Sequence, residues 1–254
     1  MPKVLSDAAL LFGRSVREGR RDPGPAYVLP AMPPLLMVLV FTALFERIAE
    51  SPGFGRGAYV DYLLPGAVVL TALLGAGFTA TYLVRDAVGG YLDRLRLLPT
   101  SRMALLAGRQ AFEAVRVLPA ALVVAAVCIA LGAPIDGGIV GLAACLLLVA
   151  LLSAAFAGVF HIAGLATRDP QTALALQPVG VVVGLVSSAL VPASVAASGF
   201  SEVARLNPVS LVVDGARASL AGDVLSSEVA LALAISAAGI VLAHLVVVRQ
   251  LEGG

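Results

Sequence analysis

Residues 62–84 read YLLPGAVVLTALLGAGFTATYLV, and residues 85–109 read RDAVGGYLDRLRLLPTSRMALLAGR. The first stretch is long and apolar enough to cross a bilayer, which takes about 20 residues. The second holds five arginines and two aspartates, and charged side chains are costly in lipid. We therefore expect the chain to cross the membrane over residues 62–84 and to emerge at the charged segment, residues 85–109.

The composition extends this pattern to the whole chain. Hydrophobic residues make up 59% of its 254 residues, and the mean hydropathy is +0.98, well above an ordinary soluble domain. The apolar runs are continuous and do not alternate, which excludes a β-barrel. We predict a single all-α integral membrane domain over residues 1–254. Its six predicted spans are residues 28–45, 62–84, 112–131, 139–166, 173–191 and 229–248.

The lysine and arginine residues indicate the orientation of these spans, because such residues favour cytoplasmic loops. Thirteen of the 17 fall on the side that holds both termini and the charged segment, and four fall on the other side. Both termini are therefore predicted to be cytoplasmic, in a bacterial-type plasma membrane. Residues 1–27 are rich in arginine and lack a small-residue cleavage site, which disfavours a removed signal peptide.

Two further segments are predicted to be helical on amphipathic grounds. Residues 3–21 carry an apolar stripe opposite several arginines, which is typical of a helix that lies in the membrane interface. Within the charged segment, Tyr91, Leu92, Leu95 and Leu98 share one helical face, while Asp93, Arg94 and Arg96 lie off it. Pro99 ends this short helix. Its position between two spans suggests a docking site for a cytoplasmic partner.

The segment before the last span carries a second pattern, Asn207-Pro208-x5-Asp214-x2-Arg217. Asn207 is a good N-cap, and proline is favoured at the first helical position. Asp214 and Arg217 are three residues apart, so they share a helix face and can pair. Because residues 192–227 are interrupted by prolines and glycines, we predict two short external half-helices that re-enter the bilayer. In the fifth span, Gly180 and Gly184 predict a close helix contact.

Several kinds of chemistry are disfavoured by the residues themselves. Lys3 is the only lysine, so the chain cannot contain a GxxxxGK[ST] phosphate-binding loop. The net charge of +1 gives no basic patch for nucleic acid. Cys128 and Cys145 fall inside predicted spans and are expected to pack as small apolar residues. We expect no catalytic residue, no metal ligand and no cofactor-binding residue in this chain.

Two histidines, His161 and His244, are the only ionisable side chains that the sequence places well inside the predicted spans. Polar groups at that depth are costly, so a functional role has to be weighed against a hydrogen bond to a neighbouring helix. The absence of mid-span carboxylates disfavours a proton-coupled or sodium-coupled pump. A transporter of this composition is expected to draw energy from a partner.

Taken in order, four motifs resemble the permease subunits of ABC-type exporters, most closely the daunorubicin-resistance type of the family that exports drugs, lipids and polysaccharides. Arg21-Asp22-Pro23 ends the N-terminal helix. Gly90-x-x-Asp93-Arg94-x-Arg96-x-x-Pro99 is followed by Leu106-x-Gly108-Arg109. The remaining motifs are Gly164-Leu165-x-x-Arg168-x-Pro170 and Asn207-Pro208-Val209 with Asp214 and Arg217. The chain departs from the family where relatives often have Pro-Gly-Trp, because it has Ser198-Gly199-Phe200.

The resemblance implies a dimer of permease chains, identical or sibling, that docks two copies of a separate ATPase, which binds ATP and Mg²⁺. It implies that residues 90–99, here called the coupling segment, insert into a cleft of that ATPase. Its docking residues would be Gly90, Tyr91, Leu92, Asp93, Arg94, Leu95, Arg96, Leu98 and Pro99. Asn207, Pro208, Asp214 and Arg217 would shape an external gate, and a hydrophobic or amphipathic cargo would pass between the chains beside spans one, two and five.

Other interpretations remain open at this point. The same family also exports lipids and glycans. A membrane enzyme that modifies lipids, with His161 as its base, belongs to a different class, and an unpowered transporter is a third alternative. A drug or natural product is favoured as cargo because the Asp-Arg-x-Arg-x-x-Pro motif resembles the drug-resistance branch.

Overall fold

The computed structural model describes residues 2–45, 59–90, 102–169, 171, 175–190 and 198–253. Regular structure within these ranges is helical. The elements are α1 (Pro2–Arg21), a π-helical turn (Gly24–Val28), α2 (Met32–Phe45), α3 (Tyr59–Gly75), α4 (Phe78–Val88), α5 (Arg102–Ala130), α6 (Gly138–Thr167), α7 (Gln177–Leu185), α8 (Ser198–Leu206), α9 (Pro208–Leu220) and α10 (Ser227–Gly253). Residues 91–99 of the coupling segment lie outside the described part of the chain.

Helices α3 and α4 form the centre of the bundle. The apolar window of Tyr59–Val88 is 89% buried, because α2, α5, α6, α7 and α9 all pack against α3 or α4. The central core is made of small and β-branched side chains such as Val68, Ala72 and Val213. Helix α10 packs on α6 and α9 at the outside of the bundle. Residues of α3 and α4 are therefore positioned to contact several elements at once.

In the part of the chain that the structure describes, four helices are long and apolar enough to cross a membrane: Tyr59–Val88, Met103–Ala130, Gly138–Thr167 and Ser227–Gln250. They correspond to predicted spans two, three, four and six. Helix α2 has 14 residues and α7 has nine. In the described residues, each continuous helix is therefore shorter than the predicted span to which it corresponds, the first and the fifth. Pro30, Pro33 and Pro34 account for the first difference, since proline lacks the N–H that an α-helix needs.

The remaining elements follow the sequence pattern closely. Helix α1 coincides with the predicted interface helix, and Leu11 of this helix is buried in a cluster with Leu106 of α5. Helices α8 and α9 occupy the segment that was predicted to hold two half-helices. Residues 131–137 form the tight connection between α5 and α6.

Candidate functional site

Four alternating charges join three helices near the two ends of the coupling segment. Arg14 and Glu18 belong to α1, Asp86 to α4 and Arg109 to α5. Arg14 contacts Glu18 at 3.0 Å and Asp86 at 2.6 Å. Arg109 contacts Asp86 at 2.5 Å and Glu18 at 3.3 Å. Each arginine therefore bridges both carboxylates, and we call these four residues the charge ring.

The sequence did not predict this ring. Arg14 was interpreted as a topology signal on the polar face of the interface helix, and Arg109 as a topology signal within a family motif. One signal for it was available. Arg14 and Glu18 have the i, i+4 spacing of a helical ion pair. The long-range contacts of Arg109 have no such local signature, since Glu18 and Asp86 lie on other helices.

A second charged cluster lies deeper, around Arg116 of α5. Arg116 and Glu113 form a fully buried ion pair on one helix face. The same guanidinium donates to the carbonyl oxygens of Ala26 and Gly75, and the Ser153 hydroxyl donates to Glu113 at 3.3 Å. Arg116 therefore connects the π-helical turn, the end of α3 and α5, and Glu113 extends the cluster to α6.

This cluster corrects the expectation that His161 and His244 are the only ionisable side chains well inside the spans. The predicted third span begins at residue 112, so Arg116 was counted among the cytoplasmic residues that border the span, and Glu113 was not considered. Helix α5 begins ten residues earlier, at Arg102. Glu113 and Arg116 therefore lie well inside this helix, and both side chains are buried in the bundle interior.

The two histidines are placed differently. His161 is fully buried, and its Nε2 lies 3.1 Å from the Thr79 hydroxyl oxygen. His244 is half-buried, and its Nδ1 lies 3.1 Å from the Gln110 side-chain oxygen. Each imidazole thus connects neighbouring helices, which favours a structural role for both.

A groove of about 800 Å³ opens between the π-helical turn with α2, the junction of α3 and α4, and α7. Asp22, Tyr82 and Arg85 form a polar part, where the Tyr82 hydroxyl donates to Asp22 and the Arg85 guanidinium lies 5.5 Å from the Tyr82 ring centroid. The rest of the lining is mainly apolar and includes Pro25, Leu29, Pro30, Pro33, Leu74, Phe78, Pro178, Val181 and Val182. The groove therefore has an amphipathic lining.

At the opposite end of the bundle, α9 holds the second sequence pattern. The Asn207 side chain accepts a hydrogen bond from the Val209 amide at 2.9 Å, as an N-cap does, and Pro208 is the first helical residue. Asp214 and Arg217 pair at 2.8 Å. Arg217 also lies 4.5 Å from the Tyr62 ring centroid. The contact between Arg217 and Tyr62 fastens α9 to α3.

Asn207 makes a second contact that allows a matched test. Its amide nitrogen donates to the Val183 carbonyl of α7 at 2.7 Å. Asn207→Ala removes this bond and the cap, and is expected to lower the free energy of unfolding by about 1–2 kcal/mol. Asn207→Ser keeps a cap acceptor and removes the amide donor to Val183, so it should cost less. Thermal unfolding in detergent measures both, and equal losses would contradict the role assigned to the cap.

The two glycines of the fifth predicted span lie against α3. A β-carbon built at Gly180 would be 3.1 Å from the Leu73 carbonyl oxygen, and one at Gly184 would overlap the Leu70 side chain. Both positions are buried. The close helix contact of this pair is thus made within the chain, between α7 and α3.

Of the proposed docking residues, only Gly90 belongs to the described residues. Its φ is +71°, a left-handed value that glycine adopts readily. It follows the end of α4 and turns the chain toward the coupling segment. The other docking residues, from Tyr91 to Pro99, remain a prediction of the sequence.

The family model for the ABC-2 type transporter matches residues 8–221, most of the chain. The chain belongs to the ABC-2 type transporter family. It is therefore the membrane subunit of an ABC transporter, a multi-pass membrane protein of the permease kind.

The matched region of this ABC-2 family chain contains the whole charge ring, the Arg116 cluster and helices α8 and α9. The chain is similar to the daunorubicin resistance ABC transporter permease protein of Streptomyces coeruleorubidus, with 29% identity over 139 residues. The alignment covers 54% of this chain and 48% of that relative. The chain thus matches about half the length of the curated relative.

Proposed function

We propose that this chain is the permease subunit of an ATP-driven exporter that moves a hydrophobic or amphipathic drug or natural product out of the cell. The observation that carries the proposal is the family match over residues 8–221, with a drug-resistance permease as a relative. Two permease chains, identical or sibling, would pair and dock two copies of a separate ATPase. That ATPase would bind ATP and Mg²⁺. A GxxxxGK[ST] phosphate-binding loop needs a lysine after its glycines, and the only lysine of this chain is Lys3.

The proposed topology has six spans with both termini in the cytoplasm. The π-helical turn and α2 together run from Gly24 to Phe45, and at about 1.5 Å per residue this composite is long enough for the first span. Helix α7, with the residues that flank it, would form the fifth. The charge ring and the coupling segment would then face the cytoplasm, and α8 and α9 would face outward as a gate that re-enters the bilayer.

The cargo path is proposed to begin in the groove. Its walls come from predicted spans one, two and five, which are the spans that the resemblance associates with the path. A mainly apolar lining with Asp22, Tyr82 and Arg85 at one part suits a molecule with an apolar body and a polar group. Such a molecule would enter from the inner leaflet or from the cytosol.

In the proposed cycle, ATP binding brings the two ATPase subunits together and moves the coupling segments with them. The permease would then shift toward an outward-open state, provided that nucleotide favours that state over the inward-open one. In the coupling segment, Tyr91, Leu95 and Leu98 would supply an apolar anchor, while its charged residues would fix the orientation.

Export of a lipid or a glycan is the alternative within the same class, and an amphipathic groove fits a lipid as well. A lipid-modifying enzyme with His161 as base is not favoured, because the buried imidazole contacts Thr79 and has no exposed surface. Family membership also favours a transport subunit over a catalytic protein. An unpowered transporter would continue to transport when the ATPase partner is absent or catalytically dead.

Leu95→Asp and Asp93→Arg are each expected to abolish most cargo-dependent ATP hydrolysis when the permease and the ATPase are reconstituted together. The first places a charge in the apolar anchor, and the second reverses a charge that fixes the orientation. ATPase activity and vesicle export are measured together in reconstituted membranes. As a matched control, Leu225→Asp changes a residue that is 95% exposed between α9 and α10 and should leave both activities unchanged. Normal coupling in both variants would overturn the docking site.

A further inference from the structure

We propose that Arg116 sets the width of the groove and thereby decides how large a cargo the chain accepts, as a positioning residue that acts through the walls of the groove. This inference deepens the proposed function, because it rests on the use of the groove as the cargo site. It goes beyond that function by assigning the size selectivity of the groove to a buried residue that does not line it.

The guanidinium of Arg116 joins two walls of the groove. One wall is formed by the π-helical turn and α2, and the other by the junction of α3 and α4. Arg116 donates to the carbonyl oxygen of Ala26 in the first wall and to that of Gly75 in the second. It also lies 5.2 Å from the ring centroid of Phe78. Gly75 and Phe78 line the groove, as does Pro25, the neighbour of Ala26.

Both walls contain an interruption of regular α-helix, which explains why such a connection stabilises them. A helix end leaves carbonyl oxygens without a partner inside the helix, and unsatisfied backbone groups are costly at membrane depth. Arg116 satisfies one carbonyl oxygen in each wall, and Glu113 balances its charge. The spacing of the walls is therefore fixed by hydrogen bonds to backbone atoms, which cannot turn away as side chains can.

The packing at Gly75 shows how closely the two walls approach each other. A β-carbon built at Gly75 would lie 2.8 Å from Nη2 of Arg116 and 3.2 Å from the β-carbon of Pro30. Pro30 lines the groove in the first wall. A methyl group at residue 75 would therefore push the walls apart without changing any charge. Substitutions at Arg116 and at Gly75 thus alter the same spacing by two independent routes.

The first experiment measures the spacing of the walls in the full chain in nanodiscs. Spin labels are placed by Val28→Cys, at the end of the π-helical turn, and by Val88→Cys, at the end of α4, both exposed positions. Labelled chain is diluted with unlabelled chain, so that only distances within one chain are measured. The native Cys128 and Cys145 are buried, and the chain without engineered cysteines gives the background.

Two variants are expected to lengthen the distance between these labels. Glu113→Gln/Arg116→Met removes the connection without leaving a buried charge, and Gly75→Ala inserts a methyl group between the walls. Gly66→Ala is the matched control. It lies on the same helix, about 14 Å from Gly75, its added methyl group would overlap the backbone of Ala189, and it does not line the groove. An unchanged distance in both wall variants would overturn the proposal.

The second experiment compares two fluorescent alcohols, naphthalenemethanol and pyrenemethanol, which share a polar hydroxyl and differ in the width of the apolar ring system. Their binding to the chain in nanodiscs is measured by fluorescence, with empty nanodiscs as the blank. In both wall variants, we expect the ratio of the pyrene affinity to the naphthalene affinity to rise about tenfold, the lower end of what one methylene group decides in an apolar pocket. Gly66→Ala should keep the ratio of the unmodified chain.

The outcomes separate this inference from the proposed function. A loss of affinity for both probes in all three variants, with an unchanged ratio, would make Arg116 a purely structural residue and overturn the inference. The absence of any probe binding by the unmodified chain would overturn it as well. If the ratio shifts as expected, but the complex with its ATPase exports neither probe when ATP is supplied, the result supports the size selectivity and counts against the proposed function.

Discussion

Replacing Arg116 with methionine is expected to lower the free energy of unfolding by about 3–5 kcal/mol, because it leaves the buried Glu113 carboxylate without its counter-charge. The carbonyl oxygens of Ala26 and Gly75 lose a donor in the same variant. Cys128 and Cys145 are buried free thiols, so a thiol-reactive fluorescent dye can follow thermal unfolding in detergent. A melting temperature equal to that of the unmodified chain would contradict the assigned role of Arg116.

The double variant Glu113→Gln/Arg116→Met is the control for this prediction. It removes both charges, so the stranded carboxylate is gone and only hydrogen bonds and packing are lost. We expect it to recover a large part of the stability, because removing a buried pair costs less than removing one partner. A double variant that is less stable than Arg116→Met would show that the loss has another origin.

Gly66→Ala is expected to lower the free energy of unfolding by about 1–3 kcal/mol, the usual cost of overpacking. Gly66 lies on α3 in the core, and a β-carbon built there would overlap the backbone carbonyl of Ala189. A backbone atom cannot turn away as a long side chain can. The contact therefore yields only if α3 moves away from the segment that follows α7. The same dye-based unfolding measurement detects the change.

Gly13→Ala is the matched control for this substitution. Gly13 also lies inside a helix, but a β-carbon built there meets nothing within 4 Å. Alanine is favoured over glycine in a helix interior by up to about 1 kcal/mol, so this variant should be as stable as the unmodified chain or more stable. We therefore expect the free energy of unfolding to fall in Gly66→Ala and to stay the same or rise in Gly13→Ala. A loss at Gly13 equal to that at Gly66 would contradict the packing argument.

Helix α4 connects the features described above. Phe78 and Arg85 contribute to the groove, Asp86 belongs to the charge ring, and the Arg116 cluster holds the end of α3 just before α4 begins. In the proposed cycle, motion of the coupling segment would enter α4 at Asp86 and reach the groove within one to two helical turns. The break between α3 and α4 at residues 76–77 would mark the end of the helical segment that moves with the coupling segment.

The local features of this fold were predictable from local patterns. The amphipathic stripe of residues 3–21 predicted α1, and the continuous apolar run of residues 139–166 predicted α6 nearly to its ends. Asn207-Pro208 predicted the start of α9, and the spacing of Asp214 and Arg217 predicted their pair. In each case the determining contacts lie within a few residues of one another in the chain.

The contacts that join distant helices were not predictable in the same way. Arg109 and Arg116 have the residue type and position expected of topology signals, and only the packing of α5 against α1 and α3 shows their buried partners. The same holds for α2, where prolines shorten the regular helix inside an apolar run of ordinary length. The docking role of residues 91–99 depends on a partner surface that the sequence of this chain does not contain.

The most direct test of the account is to purify the chain from its native membrane in mild detergent and identify the proteins that remain bound to it. We expect a stoichiometric ATPase with a phosphate-binding loop, which is lost in Leu95→Asp and retained in Leu225→Asp. Recovery of a stable, folded chain without any ATPase would contradict the assignment of this chain as a permease driven by a separate ATPase.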